Sequence, residues 1–219
     1  MPLVQFLKKE LTLELRRKSV LAGLGLYLLS TVFIYYLTIG LNHHVLSPLI
    51  WSALFWATLL FTAINTIAKS FIGEKKGLEI YFYSIAKPET VIISKMIYNF
   101  MLSVLMAVIG FILFSVLLTN PIHDLKTFSI GLVLTSAGFA TSLTLLSGVA
   151  AKANNSNIVM AVLSFPIVIS VLLMAIKITK NCIDGLEASA SYDELLTLLA
   201  INCLVGAMSY LLFPYIWRS

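Results

Sequence analysis

Six uninterrupted apolar stretches of at least 20 residues constrain the fold of this chain more than any other feature of its sequence. None of the six contains Asp, Glu, Lys, Arg or His, and they cover residues 20–40, 49–68, 96–118, 128–150, 157–176 and 195–216. About 20 apolar residues in helical conformation cross a bilayer, and a helix satisfies its own backbone hydrogen bonds in lipid. The strands of a membrane barrel would instead alternate over about 10 residues. We therefore predict an all-α integral membrane protein in which residues 1–219 form one domain with six transmembrane helices.

The charge content excludes other classes of protein. Only 11% of the 219 residues are charged and 59% are hydrophobic, whereas a soluble domain carries about 25% charged residues. Too few charges remain to cover a surface that faces water. The composition excludes a soluble enzyme, a disordered chain and a nucleic-acid binder, in spite of the net charge of +5.

The Lys and Arg residues predict the orientation in the membrane. If both termini are cytoplasmic, the cytoplasmic segments hold 12 of the 15 Lys and Arg residues. The outer loops then hold only Lys126, Lys177 and Lys180. Because Lys and Arg accumulate in cytoplasmic loops, we expect both the N-terminus and the C-terminus to face the cytoplasm.

The predicted spans contain nothing that could drive transport. Transporters coupled to protons or ions place ionisable residues inside their spans, and the six stretches have none. The chain also lacks a P-loop, an H-E-x-x-H motif and a buried carboxylate pair. We therefore predict no catalytic residue and no metal site, so this chain is not an enzyme. Transport work would need energy from another subunit, and the alternative is a passive or structural membrane subunit.

Residues 3–18 predict an amphipathic helix ahead of the first span. Five apolar residues, Leu3, Val4, Leu7, Leu11 and Leu15, fall on one stripe at helical spacing. The basic residues lie off that stripe, where they would meet anionic headgroups. Such a helix lies in the membrane interface and then turns into the bilayer. A simple anchor that obeys the positive-inside rule is the alternative.

Residues 73–95, between the second and third spans, predict a second cytoplasmic helix. This segment, GEKKGLEIYFYSIAKPETVIISK, is polar at both ends and aromatic in the middle. It is longer and more apolar than a simple connector, and such a helix suits docking into a groove of a protein partner. Pro88 ends this helix and Glu89 falls in the first turn of the next one. An aromatic helix lying against the lipid interface is the alternative.

The fourth span is rich in small residues at helical spacing. Gly131/Thr135, Gly138/Ser142 and Thr144/Gly148 are pairs of small residues four positions apart. Such pairs let helices approach closely. They predict tight packing within one bundle, with a homodimer contact as the alternative.

Four stretches of the chain carry a family resemblance. The N-terminal run FLKKELTLELRRKSVLAGLGLYLLSTVFI contains the pattern K-E-x-x-x-E-x-R, and the cytoplasmic segment contains Gly-Leu-Glu, Tyr-Phe-Tyr-Ser, Lys-Pro and Ser-Lys in order. The third stretch runs from Asn154-Asn155-Ser156 to Ser164-Phe165-Pro166, and the fourth is the C-terminal LLFPYIWR. In their order and spacing these stretches resemble the cytochrome c maturation protein B family (CcmB, haem exporter protein B) among the ABC-2-type transporter permeases. Many members have Thr before the Leu-Glu of the cytoplasmic segment, whereas this chain reads Lys-Lys-Gly-Leu-Glu.

The resemblance implies an architecture and a set of partners. It implies an elbow helix at 3–18, a coupling helix within 73–95, a separate ABC ATPase subunit (protein A of the system) and a permease homodimer. It also implies haem-handling membrane proteins and a haem chaperone of the same pathway, in the bacterial inner membrane. The residues expected to contact or shape the ATPase interface are Glu74, Gly77, Glu79, Tyr81, Tyr83 and Pro88.

The implied function is a role in c-type cytochrome biogenesis. ATP hydrolysis in the partner would drive haem export or the release of a haem-loaded chaperone. Haem would be a transported or handled ligand, with no covalently bound cofactor, and ATP would act only through the partner. The alternatives are an ABC-2 permease for a lipid, drug or polysaccharide, and a scaffold for haem-handling proteins that transports nothing.

Several other residues allow more than one interpretation. Imidazole is a common haem ligand, so His43, His44 and His123 are candidates for haem contact, with solvated surface histidines as the alternative. The aromatic residues of the first two spans predict interfacial belts, with stacking on a flat ligand as the alternative; they are Tyr27, Phe33, Tyr35, Tyr36, Trp51, Phe55 and Trp56. Asn65, Asn99 and Asn202 predict interhelical hydrogen bonds. Cys182 and Cys203 lie at different depths and are predicted to be unpaired thiols.

Overall fold

A computed structural model describes residues 7–8, 12, 18–41, 46–67, 71, 87–152 and 156–218. Within these ranges the chain forms six long helices, a short 3-10 turn at Ala188–Ser191 and no strand. The helices are α1 (Lys18–Leu41), α2 (Pro48–Ile67), α3 (Pro88–Leu117), α4 (Leu125–Ala151), α5 (Ser156–Ile183) and α6 (Tyr192–Arg218). Each is long and apolar enough to cross a membrane. The predicted all-α fold with six membrane-length helices is confirmed.

Successive helices run antiparallel, which gives the bundle two distinct ends. On α4, Gly131 faces Ile178 of α5, whereas Gly138, further along α4, faces Val171, which comes earlier on α5. We call the end where α1, α3 and α5 begin the Lys95 end. The opposite end, where α2, α4 and α6 begin, is the His123 end.

Helix α4 is the hub of the bundle. In its spanning window 67% of the residues are buried, against 17% in the windows of α1 and α6. Glycines let its neighbours approach: a Cβ added at Gly131 would lie 2.9 Å from Ile178 Cγ2, and one at Gly148 would lie 2.9 Å from Phe213 Cε2. The small residues of the fourth span therefore serve packing within one chain, as predicted.

An aromatic cluster fills the bundle near the His123 end. Trp51, Phe55 and Trp56 of α2 are each at most 1% exposed. The ring of Phe55 lies 5.3 Å from that of Phe114 and 5.8 Å from that of Phe128, between centroids. The prediction of an interfacial belt is wrong for these three α2 residues, because they form the core between α2, α3 and α4. Phe33 and Tyr36 of α1 are exposed, at 48% and 45%.

Candidate functional site at the Lys95 end

Phe71 is the central residue of the Lys95 end. Its ring is 6% exposed and lies 5.2 Å from the ring of Phe213 on α6, between centroids. Its backbone N–H donates to the Ser147 hydroxyl of α4 at 3.1 Å. The chain that leaves α2 is therefore fastened to both α4 and α6 immediately before the 73–86 segment.

Lys95 of α3 completes this contact from a third helix. Its Nζ lies 4.7 Å from the centroid of the Phe71 ring, and the residue is only 3% exposed. A cation over an aromatic face is attracted by the ring quadrupole, most strongly where water is excluded. The sequence predicted that the third span begins at residue 96, with Lys95 on its polar flank. In the structure Lys95 is buried, seven positions inside a helix that begins at Pro88. Helix α3 therefore begins eight residues before the predicted third span, and Lys95 lies on this N-terminal extension.

Pro88 and Glu89 define the other flank of the same segment. Pro88 occupies the start of α3, where its fixed φ is compatible with a helix and its missing N–H costs no hydrogen bond. Lys87 before it is extended, with φ −70° and ψ 138°. Glu89 falls in the first turn, as predicted, where its charge complements the helix dipole. Its Oε2 is buried and has no hydrogen-bond partner in the part of the chain that the structure describes.

We call Phe71, Lys95, Ser147 and Phe213 the Phe71 seat. The sequence did not single out Phe71, although Lys95 and Phe213 fall in two of the stretches that carry the family resemblance. These two stretches, 94–95 and LLFPYIWR, lie more than 100 residues apart in the sequence and meet at the Phe71 ring. A single aromatic residue after a span gives no periodic signal that could have identified it.

Two asparagine side chains, Asn99 (buried) and Asn202 (half-buried), link the hub to its neighbours. Asn99 Nδ2 donates to Thr144 Oγ1 at 2.8 Å, joining α3 to α4. Asn202 Nδ2 donates to the Leu134 carbonyl at 3.0 Å, joining α6 to α4. The predicted interhelical hydrogen bonds are confirmed for these two residues. Asn65 is exposed on α2, and its interhelical hydrogen bond stays a prediction.

A crevice between α2, α3 and α4 runs beside the hub. Trp56, Thr62, Met106 and Phe139 are among its lining residues, and its interior volume is about 10 Å³. That volume accommodates about one water molecule, whereas small-molecule sites measure about 300 Å³ or more. A haem does not fit in this crevice.

The His123 end carries the remaining candidates that the structure describes. His123 is exposed, and its backbone N–H donates to the Cys182 carbonyl at 3.1 Å, so the turn after α3 is held against the end of α5. Cys182 is buried, Cys203 is exposed on α6, and both are free thiols. Within the described ranges no three His, Cys, Asp or Glu residues group as metal ligands.

Most of the predicted interface residues lie outside the described residues. They are Glu74, Gly77, Glu79, Tyr81 and Tyr83 of the coupling segment. The haem-contact candidates His43 and His44 and most of the elbow helix predicted at 3–18 also lie outside the described residues. Of the six interface candidates, the structure places Pro88 alone, at the start of α3.

Six membrane-length helices, in a bundle with α4 as its hub, make this a multi-pass α-helical membrane protein whose fold fits that of a membrane permease. Comparison with protein-family models gives a match to CcmB (CcmB protein) over residues 1–212. The chain belongs to the CcmB family, the membrane permease family of cytochrome c biogenesis, which is part of an ABC system with an ATPase partner. A comparison with curated proteins gives no significant match.

Proposed function

We propose that this chain is the permease subunit through which a separate ATPase drives haem export or the release of a haem-loaded chaperone. In this proposal the ATPase docks on the 73–86 segment at the Lys95 end, which faces the cytoplasm of a bacterial inner membrane. Glu74, Gly77, Glu79, Tyr81, Tyr83 and Pro88 contact or shape that interface. The haem contacts predicted at His43, His44 and His123 stay predictions.

One observation supports this proposal most strongly: both flanks of the 73–86 segment are attached to the bundle. Phe71 is held by α4 and α6 through Ser147 and Phe213, and Pro88 begins α3 directly after Lys87. A force applied to the segment therefore reaches three helices at once. Lys95 links the two flanks, because it projects from α3 onto the Phe71 ring.

The mechanism we propose is a rigid-body movement of helices. Closure of a nucleotide-bound ATPase dimer pushes the coupling segment, and the Phe71 seat passes this push to the hub. Close-packed helices transmit displacement because their interiors have few voids. Since a haem does not fit in the crevice beside the hub, haem would move along an interface that opens between helices or between two copies of the chain.

Haem staining of membrane proteins tests the pathway assignment. Deleting the gene in its native host should abolish the covalent haem of c-type cytochromes while b-type haem remains. Restoring the wild-type gene should restore the c-type bands and serves as the control. If the c-type bands persist after deletion, the maturation role is wrong and a permease for a lipid, drug or polysaccharide becomes the better assignment.

A hydrolysis-deficient ATPase partner separates the permease from a scaffold. The permease proposal expects the c-type bands to disappear when the partner binds ATP without hydrolysing it, although the complex still assembles. A scaffold that transports nothing would keep the bands. Co-purification of the two subunits establishes that assembly is intact.

A further inference from the structure

A cleft opens at the His123 end, between the beginning of α2 and the end of α5. Its volume is about 290 Å³, and it is lined by Ser47, Pro48, Leu49, Ser52, Lys180, Ile183 and Asp184. That volume is close to the lower limit of small-molecule sites, about 300 Å³. Because the cleft lies at the ends of two helices long enough to cross a membrane, we infer that it lies at the depth of the lipid headgroups.

A buried hydroxyl that lines the cleft has no hydrogen-bond partner among the described residues. Ser52 is 1% exposed, and its Oγ is buried without a hydrogen bond in the described part of the chain. Other helical serines here, Ser129 and Ser209, donate to the carbonyl four residues before them. A buried polar group without a partner is costly, and in a native structure it calls for an explanation such as a ligand or ion. Ser52 lines the cleft, so a ligand there could satisfy it.

Two side chains of opposite charge, Lys180 and Asp184, line the cleft at the end of α5. Lys180 and Asp184 lie one helical turn apart at the end of α5, and the Asp184 N–H donates to the Lys180 carbonyl at 2.9 Å. Across the cleft, α2 begins at Pro48, and the Ser47 hydroxyl accepts a hydrogen bond from the Ile50 N–H at 3.4 Å; the dipole of the helix favours an anion near this end. A lysine, a hydroxyl and a helix N-terminus suit a phosphate, whereas Asp184 suits an ammonium group.

We propose that this cleft binds the headgroup of a phospholipid that carries both a phosphate and a primary amine, that is, phosphatidylethanolamine. Lys180 and Ser52 hold the phosphate, and Asp184 accepts a hydrogen bond from the amine. Pro48, Leu49 and Ile183 provide the apolar surface for the glycerol and the upper acyl chain. A headgroup with only negative charge fits less well, because Asp184 would repel it.

Native mass spectrometry of the full-length protein in detergent tests this proposal. We expect the wild type to retain phosphatidylethanolamine in preference to phosphatidylglycerol and phosphatidylcholine when the three are added at equal concentration. Lys180→Ala should weaken retention about tenfold, the effect of losing one hydrogen bond to a charged group. Lys177→Ala is the matched control, because Lys177 is exposed one turn earlier on the same helix.

A second variant keeps the test independent of folding. Ser52→Ala removes a hydroxyl that has no partner within the described residues, so the fold should be unaffected while lipid retention falls. Ser115→Ala is its control, since Ser115 Oγ on α3 is also buried and without a partner in the described ranges but does not line this cleft. Asp184→Asn should abolish the preference for phosphatidylethanolamine over phosphatidylglycerol.

Three results would overturn the proposal. The first is equal lipid retention in Lys180→Ala, Ser52→Ala and the wild type. The second is equal retention of the three lipids by the wild type. The third is displacement of the lipid by millimolar inorganic phosphate, which would identify a site for a soluble anion. None of these results bears on whether c-type bands depend on the gene, so the lipid site and the proposed function fail separately.

Discussion

At the scale of single residues, Phe71 offers the sharpest test of coupling. Phe71→Ala removes the ring that contacts Phe213 and Lys95 but keeps the backbone N–H that donates to Ser147. We expect the free energy of unfolding to fall by about 3 kcal/mol, as for other buried Phe→Ala changes, and the c-type cytochrome bands to weaken strongly. Unfolding in detergent and haem staining measure the two effects.

The matched control for Phe71 is Phe61→Ala. Phe61 lies on α2 and is 54% exposed on the surface of the bundle, so its loss should leave both measurements near wild type. Phe71→Leu, which keeps an apolar side chain but no aromatic face, should stabilise the fold relative to Phe71→Ala without restoring the bands fully. Normal c-type bands in Phe71→Ala would mean that the Phe71 seat transmits nothing.

Asp124 predicts an acid-dependent component of stability. Hydrogen bonds from the Thr127 side chain and backbone lower the pKa of its carboxylate below the ordinary 3.8, and it caps α4 by accepting from the backbone N–H groups of Lys126 and Thr127. A lowered pKa in the folded state means that the stabilisation is fully present above 3.8 and is lost as the pH falls through the folded value.

The substitution Asp124→Asn isolates that component. The amide oxygen can still cap the helix but carries no charge, so stability at pH 7 should lie slightly below wild type while the Asp124 share of the acid-dependent loss disappears. Asp124→Ala should be less stable than either at pH 7, because an alanine cannot cap the helix. Unfolding in detergent between pH 3 and pH 7 (about the range needed to span the ordinary carboxyl pKa) measures this, and superimposable acid profiles for wild type and Asp124→Asn would contradict it.

At the scale of the helices, the glycines of α4 set the packing distance. In Gly131→Ala the new Cβ would lie 2.9 Å from Ile178 Cγ2, and a β-branched side chain in a helix has little rotamer freedom to withdraw. We expect a loss of about 1–3 kcal/mol in the free energy of unfolding. Gly206→Ala on α6 is the control, since a Cβ added there would meet no atom within 4 Å and alanine favours a helix. Equal stability of the two variants would contradict close packing at Gly131.

The sequence predicted the helices well and their contacts less completely. Runs of apolar residues are a direct consequence of the bilayer, so all six helices could be read from them. Which side chains are buried depends on which face of a helix packs against the other helices. A helix that is apolar on all sides gives no indication of that face. Trp51 and Trp56 were therefore assigned to a belt although they form the core. The burial of Lys95 could not be predicted because its partner ring, Phe71, lies 24 residues earlier in the chain.

The candidate site was predictable only in part, for the same reason. Pro88 carries a local signal, since proline favours the first turn of a helix, and the structure places it there. Phe71 carries no such signal, and only its contacts with Lys95, Ser147 and Phe213 distinguish it from other aromatic residues. The small residues of α4 were predictable in part. Their spacing predicted that other helices approach closely, but it did not predict which helices these are.

At the scale of the whole molecule, the predicted orientation can be tested with single cysteines. In a chain with Cys182 and Cys203 replaced by alanine, we expect His123→Cys to react with a membrane-impermeant maleimide added to cells with a permeable outer membrane. Lys152→Cys, at the end of α4 that lies at the Lys95 end, should react only after lysis. Both native residues are exposed, so access to the reagent depends on the side of the membrane. The reverse labelling pattern would place both termini outside.

The hub arrangement also has a consequence for the synthesis of the protein. Helix α4 is the least lipid-exposed of the six and carries many Ser, Thr and Gly residues, so protein contacts, rather than acyl chains, hold much of it in the membrane. Its main contacts come from α3, made just before it, and from α5 and α6, made just after it. Insertion of α4 should therefore be completed late, when α5 has left the ribosome, and a chain truncated after residue 152 should expose α4 to membrane quality control.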